Sequence, residues 1–211
     1  MINLDNVTLV AVSSVKYGET INALRESAKG LKFASVKFLT DADIVCDDIE
    51  IVKIDRLNSI DDYSKFMIYD LDHHIVTDFA LVVQYDGYVL NPELWSDEFL
   101  KYDYIGAPFP LPSDDFSYRD AHGNLVRVGN GGFSLRSKKL ISLPNKLNLP
   151  WKSYFGYYNE DGFIVCHNRH IYEESGCVFA PIDVAARFSY EHTIDENRGI
   201  QPFGFHRNLP Y

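Results

Sequence analysis

The sequence predicts an α/β protein with a central mixed, mostly parallel sheet flanked by helices. Three observations carry this reading. Apolar runs rich in β-branched residues at 7–13, 36–40, 49–54 and 79–85 have the length of buried strands. Helix-period stretches at 18–29 and 61–75 separate them in a β-α-β-β-α-β order, which favours parallel neighbours. The 211 residues, 46% apolar and 24% charged, suit one globular domain with one core.

The elements follow in order. Residues 7–13 read as a buried first strand. The helix over 18–29 places Ile21, Leu24 and Ala28 on one face. Two strands follow, and Asp41 terminates the first of them. Asp61 and Asp62 favour the start of the next helix through its dipole, while Phe66, Tyr69, Leu71 and Ile75 supply its apolar contacts. The strand at 79–85 then delivers Asp86 and Gly87.

The second half changes character. Residues 104–112 are too proline-rich for a regular element, and 113–124 read as a polar surface loop. A strand starts at 125–128, and the turn Gly129-Asn-Gly-Gly132 leads into a strand at 133–136. A short helix over 138–143, a longer one over 161–172 and a last short strand at 178–181 complete the expectation. Residues 201–211 carry no evident element, which leaves room for the polypeptide to continue.

Composition narrows the function. The formal charge is −10, from 20 basic and 30 acidic residues, and no basic stripe is present, which disfavours nucleic acid as a partner. No apolar run approaches the 18 residues of a membrane span, and no signal segment opens the chain. Cys46, Cys166 and Cys177 are widely spaced and odd in number, as free thiols in a reducing compartment would be. A cytoplasmic protein is expected, with the Asn6-Val7-Thr8 sequon accidental. Fourteen Tyr and 14 Phe suit the apolar faces of sugars, although core packing is the commoner use of any one of them.

The chemistry-bearing residues are few. Asp86 falls where a buried strand ends, at the edge where open α/β sheets bind ligands, and it could ligate Mg²⁺ or Mn²⁺ on a diphosphate. A turn aspartate before glycine is the plainer alternative. Glu160-Asp161 offers a general base for an acceptor hydroxyl, or an acidic helix start. His206, among aromatics, is a metal ligand or a structural imidazole. The pairs His73-His74 and His167-His170 lack the companions of a zinc site. Gly129-Asn-Gly-Gly132 has neither dinucleotide nor P-loop spacing, so its glycines let the backbone approach a substrate or make a tight turn.

Together, the first strand, Ser64-Lys65-Phe66, Gln84-Tyr85-Asp86, the segment from Gly129 to Arg136, Glu160-Asp161 and Phe203-Gly-Phe-His206 resemble a GT-A type glycosyltransferase with a Rossmann-like sheet. More narrowly, Tyr102-Asp-Tyr-Ile-Gly-Ala-Pro108 and the segment from Val128 to Ser137 resemble a small glycosyltransferase-like family, long catalogued as a domain of unknown function, of bacteria and large algal viruses. The likeness spans nearly the whole chain. It implies a nucleotide-binding half over 1–92 and a sugar and acceptor half over 93–211.

In that picture Ala11, Val12 and Ser13 lie near base and ribose, with Asp41 approaching the nucleoside and Lys65 the phosphates. Tyr85, Gly131 and Gly132 line the donor. Asp86 matches the last acid of the D-x-D signature, whose first acid is Gln84 here, and His206 matches the late histidine completing a Mn²⁺ or Mg²⁺ site. Asp161 or Glu160 is the base. The resemblance implies transfer of a hexose or deoxyhexose, first candidate a uridine diphosphate sugar, to a glycan or glycoprotein acceptor, inversion being favoured over retention. The rivals are an inactive nucleotide-sugar or carbohydrate-binding module and a metal-dependent nucleotidyltransferase or phosphohydrolase.

Overall fold

The computed structural model describes residues 1–151 and 159–210. The first half supplies β1 (Ile2–Val12), α1 (Tyr17–Ala28), β2 (Leu31–Thr40), β3 (Glu50–Lys53), α2 (Ile60–Lys65) and β4 (Phe79–Val83). The second supplies β5 (Tyr104–Ile105), β6 (Phe133–Ser137), α3 (Lys138–Leu147), α4 (Glu160–Gly162), α5 (Arg169–Glu174), α6 (Ile182–Phe188), β7 (Ser189–Tyr190) and β8 (Gly204–Phe205). Six strands form one sheet in the order β3-β2-β1-β4-β6-β5. The first four are mutually parallel, and β6 runs antiparallel between β4 and β5. No described helix is long and apolar enough to cross a membrane.

The order explains where ligands can enter. From β1 the chain steps outward to β2 and β3, then returns to place β4 on the other side of β1. The crevice at the carboxyl ends of β1 and β4 is therefore the switch point of the sheet, where helices diverge and leave a gap. β1 and β4 can sit centrally because both faces are apolar: Leu9, Val10, Leu81 and Val82 are all fully buried. Leu9 and Leu81 belong to the core on one face, and Val10 and Val82 to the core on the other.

Several expectations are corrected. β1 starts at Ile2, five residues early, because a bulge between Leu4 and Thr8 carries the strand through the polar Asp5-Asn6. The expected strand at 125–128 is only two isolated bridges, Pro108 to Val128 and Arg119 to Leu125. That at 178–181 is a single bridge from Phe179 to Tyr104. Conversely, Tyr104–Ile105 is a true strand despite the prolines after it, and Gly204–Phe205 pairs in parallel with Ser189–Tyr190 where no element was expected. α3 runs four residues beyond the expected 143, capped by Ser137 and carrying Pro144.

The helix expected over 61–75 is composite. Ser59 accepts the Asp62 N–H as its cap, and a π-helical turn at Phe66–Asp70 and a 3₁₀ turn at Leu71–His74 follow α2. The helix expected over 161–172 is composite too, with a π-helical turn at Phe163–His167 between α4 and α5. The two π turns meet where Tyr69 packs edge-on against Phe163 at 6.3 Å.

Candidate active site

Two cavities open at the carboxyl edge of the sheet. The smaller, about 340 Å³, is lined by Val12, Ser13, Leu57, Tyr63, Gln84 and Tyr85, all from the first half of the chain. The larger, about 520 Å³, has Glu160, Asp161, Gly132, Glu191, His206 and Arg207 in its walls, with Phe109, Phe116 and Tyr118 adding aromatic surface. Ile60, Tyr63 and Gln84 line both, so the cavities adjoin there. A ligand with a flat apolar end and a polar, hydroxyl-rich end could span them.

At the end of β4 the chain makes the turn Gln84-Tyr-Asp-Gly87, closed by the Gly87 N–H to the Gln84 carbonyl at 3.1 Å. β8 then carries His206 back over this turn, held by the Phe205 N–H on Tyr88 and the Arg207 N–H on Asp86. His206 Nε2 consequently lies 3.2 Å from Gln84 Oε1 and 3.5 Å from Asp86 Oδ1. Its Nδ1 lies 3.1 Å from Glu191 Oε1. Burial opposes a charged ring, but Asp86 and Glu191 outweigh it and hold the His206 pKa above its ordinary value. Burial likewise opposes the Asp86 carboxylate, and His206 overcomes it, holding Asp86 below the usual range.

Gln84 Oε1 and Asp86 Oδ1 both approach His206 Nε2, so with the imidazole unprotonated three lone-pair donors crowd together. They repel unless a proton or a cation lies among them. Adjacent ligands of an octahedral ion at about 2.1 Å stand about 3 Å apart, close to the two measured separations. Asp86 Oδ1 is also buried without a hydrogen bond. These residues therefore fit a hard divalent cation. No three His, Cys, Asp or Glu side chains gather as a metal site among the described residues, so a cation held here would take the Gln84 amide oxygen as its third protein donor.

The acidic pair lies across the same cavity. Glu160 is buried against Arg136, whose Nη2 donates to Glu160 Oε1 at 2.9 Å and to the Gly131 carbonyl at 3.2 Å. Arg136 is itself fully buried, with Nε on Ser134 and the guanidinium 5.5 Å over the Tyr104 ring. Glu160 is thus bound as one half of an ion pair. Among the described residues no ion-pair partner reaches Asp161; its Oδ1 accepts the Gly162 N–H at 2.7 Å. Burial first, and the Glu160 charge second, push the Asp161 carboxyl up to about 7. A group poised there can take or give a proton at neutral pH.

The glycine turn joins the two halves. A β-carbon on Gly131 would fall 2.3 Å from Glu160 Oε1, and one on Gly132 would fall 2.2 Å from His206 Nε2. Only a chain without side chains can pass between these groups. The expected close approach is made to the protein's own acid and imidazole.

Other expected residues are placed as follows. Val12, Ser13 and Tyr85 line the smaller cavity, and Gly132 the larger. Ala11 is fully buried in the core. Asp41 receives the Tyr17 hydroxyl at 3.1 Å and Arg56 at 3.3 Å, and Lys65 pairs with Asp61 at 2.6 Å; neither lines either of these two cavities. Gly131 sits behind the cavity wall, against Glu160 and Arg136. Sequence reasoning missed Glu191, Arg136, Asn130 and Tyr63. Only Arg136 carried a readable signal, as a charge inside an apolar strand run.

Residues 48–206 match the family described as "Protein of unknown function (DUF5672)". The chain belongs to this family. No curated protein matches the sequence. The DUF5672 chain is similar in structure to a glycosyltransferase involved in glycosylation of the major capsid of PBCV-1, at 11% identity and a TM-score of 0.53, over 95% of this chain and 91% of that one. It is also similar to the galactosyltransferase LgtC in complex with donor and acceptor sugar analogues, at 13% identity and a TM-score of 0.54, over 96% and 87% of the two chains. An active-site mutant of LgtC matches at 12% identity and a TM-score of 0.53, over 96% and 88%. The fold of this DUF5672 member is therefore the GT-A glycosyltransferase fold. Fold alone does not assign chemistry.

Proposed function

We propose that the protein is a glycosyltransferase that moves a sugar, a hexose or deoxyhexose, from a nucleotide donor to a hydroxyl of a glycan or glycoprotein acceptor. One observation carries the reading: two cavities meet at Gln84 and Tyr63, and the larger is walled by Gln84, by His206, which Asp86 backs from outside the lining, and by an acid with a raised pKa. The smaller cavity takes the nucleoside, uridine being the first candidate. Asp86, His206 and Gln84 hold Mn²⁺ or Mg²⁺. When bound, the ion offsets the charge that grows on the departing diphosphate.

The chain's own residues do the rest. Asp161 accepts the proton of the attacking hydroxyl, because Glu160 is committed to Arg136 and Asp161 is not. The Glu160 charge beside Asp161 sustains the basicity of Asp161. Tyr63, its pKa raised by burial and by Glu160, keeps its proton while its oxygen accepts Gln84 Nε2–H at 2.9 Å. Its hydroxyl hydrogen is thus available to the donor at the junction. The aromatic wall excludes water around the sugar. A base on the acceptor side favours inversion.

The test is product analysis with a panel of nucleotide sugars and glycan acceptors, in the presence of Mn²⁺. A new glycosidic bond and a free nucleoside diphosphate support the proposal. Binding without turnover supports a carbohydrate- or nucleotide-binding module, and cleavage between the phosphates supports a nucleotidyltransferase or phosphohydrolase.

A further inference from the structure

Glu191 follows the two-residue strand β7 and is only 4% exposed. Its Oε2 accepts Asn130 Nδ2–H at 2.9 Å and its Oε1 faces His206 Nδ1 at 3.1 Å; His192 Nε2 and the Arg207 guanidinium come no closer than 3.8 Å and 3.9 Å. Asn130 is also buried, and its Oδ1 accepts the Gly132 N–H at 3.0 Å. Burying a carboxylate among so few charged partners is costly, which calls for a reason.

We propose that Glu191 is a positioning residue: it fixes His206 as the Nδ1–H tautomer and, through Asn130, ties that tautomer to the backbone of Gly132. The proposal rests on the cation reading given above. The sense of the bonds from Gly132 through Asn130 to Glu191 follows from their donors. A backbone N–H can only donate, so Gly132 obliges Asn130 to present its oxygen. The Asn130 amide must then offer its hydrogen to Glu191. A carboxylate only accepts, so Glu191 at 3.1 Å holds an imidazole hydrogen on Nδ1, against the pull of Gln84 Oε1 at 3.2 Å and Asp86 Oδ1 at 3.5 Å on Nε2. The Nε2 lone pair is left facing Gln84 and Asp86, as a cation ligand requires. The glycine turn and the cation site are set by one hydrogen-bond relay.

Glu191→Gln tests this with little change of shape. Asn130 claims the new amide's oxygen, so its N–H₂ faces Nδ1 and drives the ring hydrogen to Nε2. Nitrogen-15 NMR of labelled histidine, followed with rising pH to the plateau at which the ring has lost its charge and with no metal present, reads the tautomer directly. Wild type is expected as Nδ1–H and the variant as Nε2–H. Affinity for Mn²⁺ alone, measured by electron paramagnetic resonance, is expected to fall about 10- to 100-fold in the variant. An Nε2–H tautomer in the wild type overturns the proposal, as does an unchanged tautomer and Mn²⁺ affinity in the variant. If the variant does not fold, the wild-type tautomer decides. A tautomer switch in a protein whose wild type binds no Mn²⁺ upholds the relay and rejects the cation reading instead.

Discussion

Asp161 and Glu160 are neighbours with opposite circumstances. Glu160 lies against a buried guanidinium; Asp161 has backbone N–H partners and a negative neighbour. The raised Asp161 pKa has two consequences. If Asp161 is the base, kcat/KM rises with pH through about 7. Asp161→Asn should then lower it about 10²- to 10⁴-fold and abolish that limb, as a pH–rate profile would show. Stability moves the opposite way. Below about pH 4 the carboxyl is protonated in both folded and unfolded chains. Between there and about 7 the unfolded chain releases its proton first, so folding weakens as pH rises. Asp161→Asn removes this penalty, and melting at pH 8 should rise by a few degrees, roughly 2–4 °C per kcal/mol regained. Asp86→Asn should lower Mn²⁺ affinity at least about 10-fold while leaving the circular dichroism spectrum intact. Full affinity in that variant would remove Asp86 from the cation site.

The glycine turn shows how elements build the site. Gly132→Ala forces a methyl into the His206 ring, and neither the backbone nor a ring held by Glu191 has room to yield. We expect a loss of about 1–3 kcal/mol in denaturant melts and a collapse of Mn²⁺ binding. Gly18→Ala, near the start of α1 with nothing within 4 Å, is the matched control and should be neutral or stabilising by up to about 1 kcal/mol. At this scale the sequence was only partly readable. The strands flanking the switch point were evident, because a strand buried on both faces is an unbroken apolar run. β5 and β8 have two residues each, too few for any period. Glu191 was invisible for a related reason. It follows a two-residue strand whose partner lies 15 positions later, and nothing in Ser189-Tyr-Glu-His192 marks the glutamate apart from any surface acid.

At the scale of the whole molecule, a ligand bridging the two cavities touches both halves of the chain and should stabilise them together. A uridine diphosphate sugar at about 100 times its Kd adds about 2.7 kcal/mol to stability. For a protein of this size that shifts Tm by roughly 5–10 °C. The shift should need Mn²⁺ and should be largely lost in Asp86→Asn. An equal shift without metal would separate nucleotide binding from the cation cluster. Asp86 and His206, 120 positions apart in sequence, meet because β8 folds back over the turn after β4; their proximity was inferred from resemblance, not from spacing. The wide helical turn at Phe163–His167 has a last implication. Such a turn holds one residue more than an ordinary helix would use. Excising a single codon there should yield a straighter, sturdier rod, yet swing the preceding acids by about 100° away from their opening. A change in the length of this buried segment should therefore cost activity more than a volume-conserving substitution within it.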